Sequence, residues 1–466
     1  MVSEARRRPL KQLAREIFLA TLAEVDVPRA FDRKLELRGS RLHFGTESVE
    51  LDAFRQIWVV SFGKAAWATF HTLGALLGEK YRPSRGVVVS NVPPPAAGEA
   101  EGQALPDGFI AYQAGHPYPN QASLSAAEAI LQLARDADEK TLLIFLISGG
   151  GSALVEKPLV EGVTLEDMKA LNRVLVGCGA SIDEINAIRK HLSAVKGGRM
   201  AEAAPKAHKV TVLLSDVPEG HWATIASGPT LPDPTTVHTC YEVAERYHLR
   251  EKLPPAIRVL LEKKKLKETP KAGAQAFQRA QTFLLLSSRD VLHAAHRAAG
   301  KCGFLPECEM SCDDWELARA AECLLERLEE MQAESAKWES PGQSSSAKAA
   351  EGQPVCLISG GEILCPVTDE GQGGRNQAFV LYCAEKIAGR EVAVLSAGTD
   401  GVDGNSPAAG AVADGETIRR AREKGLDPRD YFRRSDSFHF FDALGDTIVT
   451  GQQPNNLRDL RLLLAR

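Results

Sequence analysis

The chain has 466 residues, 44% hydrophobic and 25% charged, with a formal net charge of −5 and nine cysteines. At ~100–200 residues per domain this suits two or three globular domains, and the near-neutral charge leaves no nucleic-acid footprint. No apolar run reaches the ~18 residues of a membrane helix. The odd, scattered cysteines suit a disulfide-free core in a reducing compartment, so the cytoplasm is the expected location.

The first predicted element is an amphipathic helix carrying Leu10, Leu13, Ile17 and Leu22. Arg6, Arg7 and Arg8 precede it, but Glu4 and Glu16 interrupt any transit-peptide pattern. Seven short apolar runs follow, each ending on a serine: IWVVS at Ser61, GVVVS at Ser90, LLIFLIS at Ser148, VTVLLS at Ser215, FLLLS at Ser287, CLIS at Ser359 and VAVLS at Ser396. Uninterrupted runs of this length predict strands buried on both faces. Helix-period stretches between them, such as 124–137 and 291–299, predict doubly wound parallel sheets. In such sheets ligands bind beyond the carboxyl ends of the strands.

Four of these strands precede residue 216 and three follow 282. The stretch between, 232–275, is rich in charge and proline and reads as helix plus connector, while 333–353 reads as a solvated surface loop. The expected fold is therefore α/β, with two three-layer α/β/α domains and largely parallel sheets. Residues 1–235 form an N-terminal Rossmann-like domain, 236–275 a connector, and 276–466 a C-terminal α/β domain whose last residues pack back on the first.

Six segments carry candidate chemistry. In SFGKAAW, Lys64 opens a helix, where a cation opposes the helix dipole unless an anion sits beside it; a solvated lysine is about as good a reading. In ISGGGSALVEKP, Gly149, Gly150 and Gly151 between Ser148 and Ser152 let backbone N–H groups converge as an anion nest. In SIDEINAIRKHLSAVKGGRMA, Ser181 and Glu184 form a capping box and Ile182, Ile185, Ile188, Leu192 and Val195 a buried stripe. Asn186, Arg189, Ser193 and Lys196 line its border, as a cleft wall or a solvated edge.

Asp216 directly follows a buried strand, suited to accept a proton or to cap a turn. Arg375 follows Gly373–Gly374 at a predicted helix start and can grip a phosphate in bidentate fashion. Asp400 and Asp403 share a glycine-rich loop whose D-x-x-D spacing suits a hard cation. The chain has no P-loop, no G-x-G-x-x-G fingerprint after its first strand and no protein-kinase signature.

In this order, SFGKAAW, AGHPYPNQAS, SGGGSAL, SIDEINAIRKHLSAVKGGRMA, SDVPEGHWATIASGPTLPD, SGGEILCPVTDEGQGGRNQAF, SAGTDGVDG and HFFDALGDTIVTG resemble the glycerate 2-kinase family with its DUF4147 and MOFRL parts, from about Ala14 to Leu464. The resemblance implies an active-site cleft between two domains and transfer of the ATP γ-phosphate to D-glycerate, giving 2-phosphoglycerate, with Mg²⁺. It implies catalytic roles for Lys64, Asp216 and Arg375. Ser148, Gly149, Gly150, Gly151, Ser152, His116, Arg189, Lys190, Lys196, Gly360, Glu362 and Asn376 are assigned to substrate or phosphate, and Asp400 and Asp403 to Mg²⁺. The partners implied are glycerate and ATP, with a homodimer left open and neither nucleic acid nor membrane. A hydroxypyruvate reductase-type oxidoreductase, or a binding homologue with impaired turnover, is the alternative. The sequence departs from the family pattern at 218–220, 405–407 and 452–456.

Overall fold

The structure, a computed structural model, describes residues 8–94, 105–217, 220–337, 352–366 and 370–466. Arg6 and Arg7, most of the expected surface loop (338–351), and Pro218 and Glu219 of the first departure lie outside the described residues. The chain forms two compact units, one of residues 27–285 and one of residues 1–26 with 286–466.

The 27–285 unit opens with a small antiparallel meander, β1 (Leu35–Arg38), β2 (Arg41–Phe44) and β3 (Glu47–Glu50), which the run-based reading does not contain. Its main sheet comprises β4 (Gln56–Phe62), β5 (Arg85–Ser90), β6 (Phe109–Gln113), β7 (Thr141–Ile147), β8 (His208–Leu214) and β9 (Ala280–Leu286), in the order β6-β5-β4-β7-β8-β9. The pairings from β6 through β8 are all parallel. Every residue of β7 is buried, which is why its sequence is continuously apolar rather than alternating. Phe62 lies opposite Ile147, and Ile147 opposite Leu213, so β4, β7 and β8 end level at one edge. Val60, Phe62, Phe145, Ile147 and Leu213 share a core with Ile130 of α2 (Gln121–Asp136), which follows α1 (Leu10–Glu24) in our helix numbering. Burying each large side chain contributes about 1.5–3 kcal/mol.

Three expectations are corrected here. FLLLS, grouped with the later strands, is β9 of this first sheet. The 236–275 segment is no free connector: Cys240, Val243, Leu249, Ile257 and Leu261 bury against Leu171 and Ile188 in a second, helical core. Its helices, Val237–Arg246 and Pro255–Glu262, hide an apolar stripe within a charged sequence. The first 26 residues do not belong with 27–235. Helix α1 buries Leu13, Ile17 and Phe18, with Glu24 paired to Arg297 of the other unit's helix Ser288–Lys301.

In that unit the sheet order is β10 (Leu305–Glu309), β11 (Val355–Gly360), β15 (Asp459–Ala465), β12 (Val392–Gly398), β13 (Gly410–Asp414) and β14 (Thr447–Ile448). Only β10–β11 pair in parallel; β15 runs antiparallel to both β11 and β12, and β12–β13 and β13–β14 are antiparallel. The expectation of largely parallel sheets therefore holds for the first sheet and fails for the second. Its strands return through loops such as 399–409, too short for the crossover a parallel partner needs. The chain's last strand is the fully buried centre of this sheet; of residues 1–235 it packs against helix α1, which belongs to the same unit. No helix among the described residues is long and apolar enough to cross a membrane.

Candidate functional site

In the 27–285 unit, three loops leave the level ends of β4, β7 and β8 and meet. Lys64 N–H donates to Gly149 C=O at 2.9 Å, Ser148 N–H to Phe62 C=O at 3.1 Å, and Ala65 N–H to Ser148 Oγ at 3.0 Å. The close approach demands glycine. A Cβ on Gly149 would lie 2.2 Å from Asp216 Oδ2, and one on Gly63 (φ +124°) 2.1 Å from Ser148 Oγ. Gly150, at φ +80°, faces the His116 ring and the Lys64 Cγ at 3.1–3.3 Å from where its Cβ would stand. Lys64, Ser148, Gly149, Gly150, His116 and Asp216 are thus brought together. Burial lowers the His116 pKa, and the Lys64 charge lowers it further, so the imidazole is held neutral beside a cation.

The helix Ile182–Leu192 supports this edge differently from the expected stripe. Its capping box is present, with Ser181 Oγ accepting from Glu184 N–H, but Ile182 is exposed while Asn186 and Lys190 are buried. Lys190 pairs with the buried Asp233 at 3.2 Å. Lys196 pairs with Glu156 at 2.6 Å, both about 97% or more buried, and also donates to Ser152 C=O at 2.8 Å. Both ammonium groups are paired internally and hold the framework, Lys196 directly behind the glycine loop. Ser152 Oγ meets Ser227 Oγ at 3.0 Å, and Ser227 donates to Asn186 Oδ1 at 3.1 Å. Arg189 is half-buried, with Nε donating to Asn172 Oδ1 at 2.7 Å.

In the other unit, the ends of β11 and β12, the start of β15 and the start of α3 (Arg375–Lys386) share one edge. Arg375 Nε donates to Asp459 Oδ2 at 2.6 Å, and its Nη2 pairs with Glu362 Oε1 at 2.8 Å. Burial works against the guanidinium charge, but Asp459 and Glu362 outweigh it and keep Arg375 protonated. Burial, with Asp459 adding to it, raises the Glu362 carboxyl above its ordinary range. Asp313 accepts from Arg458 Nη2 at 2.7 Å and from Glu362 N–H at 2.9 Å, while the fully buried Arg461 donates to the Gly360 and Gly361 carbonyls at 3.0 Å each. Gly360 therefore enters the network through its carbonyl. Sequence reasoning missed Asp459, Arg461 and Asp313. The available signal was two charged residues alternating with leucines in a run that is otherwise a buried strand.

Asp403 does not fit the expected pair of metal carboxylates. Its Oδ1 accepts from the Asn376 N–H and Nδ2, and its Oδ2 from the Gln377 N–H and Nε2, all at 2.9–3.3 Å. It caps α3, as the wall of Gly374 allows: a Cβ there would lie 2.3 Å from Oδ1. Burial pushes its carboxyl up to about 6 despite these donors. Asn376 is likewise structural, its Oδ1 accepting from Ser396 Oγ at 2.5 Å. Asp400 and Asp403 both line a cavity of about 950 Å³ alongside Arg375. Among the described residues no group of three or more His, Cys, Asp or Glu could hold a metal ion.

Residues 13–262 match the family described as "Domain of unknown function (DUF4147)" and residues 355–459 the MOFRL family. The D-glycerate 2-kinase of Thermotoga maritima is 35% identical over 454 residues, covering 97% of each chain. The chain belongs to the glycerate 2-kinase family. A relative from Agrobacterium vitis, provisionally named a hydroxypyruvate reductase, is 37% identical over 78% of this chain and 79% of its own. The crystal structure of glycerate kinase from Thermotoga maritima superposes with a TM-score of 0.79 at 32% identity, covering 98% of this chain and 99% of that one.

As a glycerate 2-kinase family member the chain has structural hydrogen bonds at four of its departing positions, Asn405, Ser406, Gln453 and Asn455. Asn405 Oδ1 accepts from Gly373 N–H at 2.8 Å and its Nδ2 donates to Gly371 C=O at 3.1 Å, bracing the glycine turn before Arg375. Ser406 Oγ accepts from Gln377 Nε2 at 2.7 Å. Gln453 N–H donates to Asp400 C=O at 2.8 Å, and Asn455 Nδ2 to Val25 C=O at 2.9 Å, tying the 452–456 turn to the Asp400 loop and to the end of α1.

Proposed function

We propose that this chain transfers the γ-phosphoryl group of ATP to the 2-hydroxyl of D-glycerate. The convergence of Lys64, the Gly149–Gly151 turn, neutral His116 and Asp216 at one edge of a parallel sheet carries this reading. Phosphoryl transfer asks a protein chiefly to position reactants and to neutralise spreading charge. Lys64 and the Arg375 guanidinium supply positive charge to phosphoryl oxygens, and the glycine amides add donors. Asp216 accepts the proton of the attacking hydroxyl or orients it, and His116 donates or accepts a hydrogen bond without adding charge. Of Arg189, Lys190 and Lys196, Arg189 is the one left to meet the substrate carboxylate, because Lys190 and Lys196 are paired with internal carboxylates.

Mg²⁺ bound with ATP commonly takes only one or two protein carboxylates plus phosphate oxygens. Asp400, beside Arg375, fits that demand, whereas Asp403 does not. When bound, the ion would neutralise phosphate charge. The test is a coupled ADP-release assay over glycerate, tartronate and related hydroxy acids, with the phosphorylated position read by phosphorus NMR. Glycerate-dependent ADP release giving 2-phosphoglycerate is expected. Absence of ADP release would replace this reading by the binding homologue with impaired turnover, and robust NADH oxidation with hydroxypyruvate at 340 nm by the reductase suggested by the Agrobacterium name.

A further inference from the structure

The cavity of about 950 Å³ lies wholly within the unit that contains Arg375. Its size falls within the ~300–1,000 Å³ of small-ligand sites. One wall is a single stripe of α3: Arg375, Ala378 and Tyr382, at i, i+3 and i+7. Seven residues of helix span about 10 Å, comparable to the reach of a nucleoside polyphosphate from its base to its outer phosphates.

The two ends of the stripe differ in chemistry. At one end, Asp459 and Glu362 bind Nε and Nη2 of Arg375, and no hydrogen bond is made by Nη1 among the described residues. The guanidinium is thus oriented by its carboxylates and retains a free edge; its side chain is 34% exposed. At the other end stand aromatic rings. Tyr382 and Phe432 lie 6.1 Å apart between centroids, Tyr431 is adjacent, and Phe432 is 40% exposed. The Tyr382 hydroxyl is bonded to Glu322 at 2.7 Å, which presets its ring. Between the ends, Ala378 has only a methyl group and leaves the groove open. The Asp403 carboxylate in this wall faces the α3 amides, whose donors offset its charge.

Resting on the kinase reading above, we propose that this groove is the subsite for the nucleoside part of the phosphoryl donor, with the base against Tyr382 and Phe432 and the phosphate chain directed to Arg375. Stacking on aromatic faces is tolerant of base identity, so the subsite takes nucleoside triphosphates as a class.

The test uses the full chain with Ala378→Phe, which fills the groove, and Phe432→Ala, at an exposed position where folding is not at risk. ADP binding is measured by calorimetry, together with the KM values for ATP and D-glycerate and the melting temperature. Ala378→Phe is expected to weaken ADP binding and raise the KM for ATP tenfold or more, leaving the KM for glycerate within twofold. Phe432→Ala is expected to weaken ADP several-fold while leaving inorganic tripolyphosphate binding unchanged, because only the base is lost from contact. Unchanged ADP affinity in a folded Ala378→Phe chain overturns the proposal. If that variant does not fold, unchanged ADP affinity in Phe432→Ala does so. ADP binding that is lost in both variants, in a wild-type chain that does not phosphorylate glycerate, would uphold the subsite and refute the proposed acceptor.

Discussion

Replacing Gly149 by alanine tests the assembled edge of the 27–285 unit at its tightest point. The added Cβ would stand 2.2 Å from Asp216 Oδ2 and 2.8 Å from Asp216 Cγ. Restoring ordinary contact at about 3.4 Å requires roughly 1.2 Å of movement, and the Asp216 carboxylate, half-buried at a strand end, is the part that can give. A misplacement of about 1 Å in a reacting group can cost about 10²-fold in rate. The folded state loses little, since the side chain can swing toward solvent. The expected result is therefore a fall in kcat of about 10²-fold in the coupled ADP-release assay, with a melting temperature within a few degrees of wild type. Gly74→Ala is the control: in the helix Ala66–Leu77 its Cβ would meet nothing within 4 Å, so it should keep full activity and gain about 0.5–1 kcal/mol. A Gly149→Ala chain with wild-type kcat would refute the assignment of Asp216 to the reaction.

Other expectations follow from the charge networks. Asp459→Asn keeps the side-chain size but removes the charge that orients Arg375, and should lower kcat/KM by about 10²–10³-fold; it should add little further loss in an Arg375→Lys background, because both changes act through one guanidinium. Lys196→Met leaves Glu156 buried without its cation, which costs about 3–5 kcal/mol, and adding Glu156→Gln should recover part of the lost melting temperature. The folded-state pKa of Asp403, about 6, lies above the ~3.9 of an unfolded aspartate. The folded chain then binds more protons between those values, so its stability falls as pH rises from about 4 to about 6, by about 3 kcal/mol. Denaturant titrations across this range should show that slope in wild type and its absence in Asp403→Asn.

The sequence by itself determined the strands whose two faces are both buried, because continuous apolar runs have no other use at that length, and with them the edge where Lys64, Gly149–Gly151 and Asp216 meet. Parallel strands that end level bring their following residues together without any further information. The capping box at Ser181 was legible because local hydrogen bonding sets it within four residues. What a cation does once buried was not legible. Lys196 shares a helix border pattern with Arg189, and Lys190 directly follows Arg189, yet Asp233 and Glu156, about forty residues away in opposite directions, claim the two lysines. Asp403 has the spacing of a metal ligand and the position of a helix cap, and only the fold decides that its oxygens face the Asn376 and Gln377 amides. The tertiary structure also decided the second sheet. Strand β15 ends the chain but enters between β11 and β12, bringing Asp459 to Arg375 across 84 residues. Local propensity carries no record of such a pairing, because its energy comes from burial and charge matching that exist only after the sheet has closed.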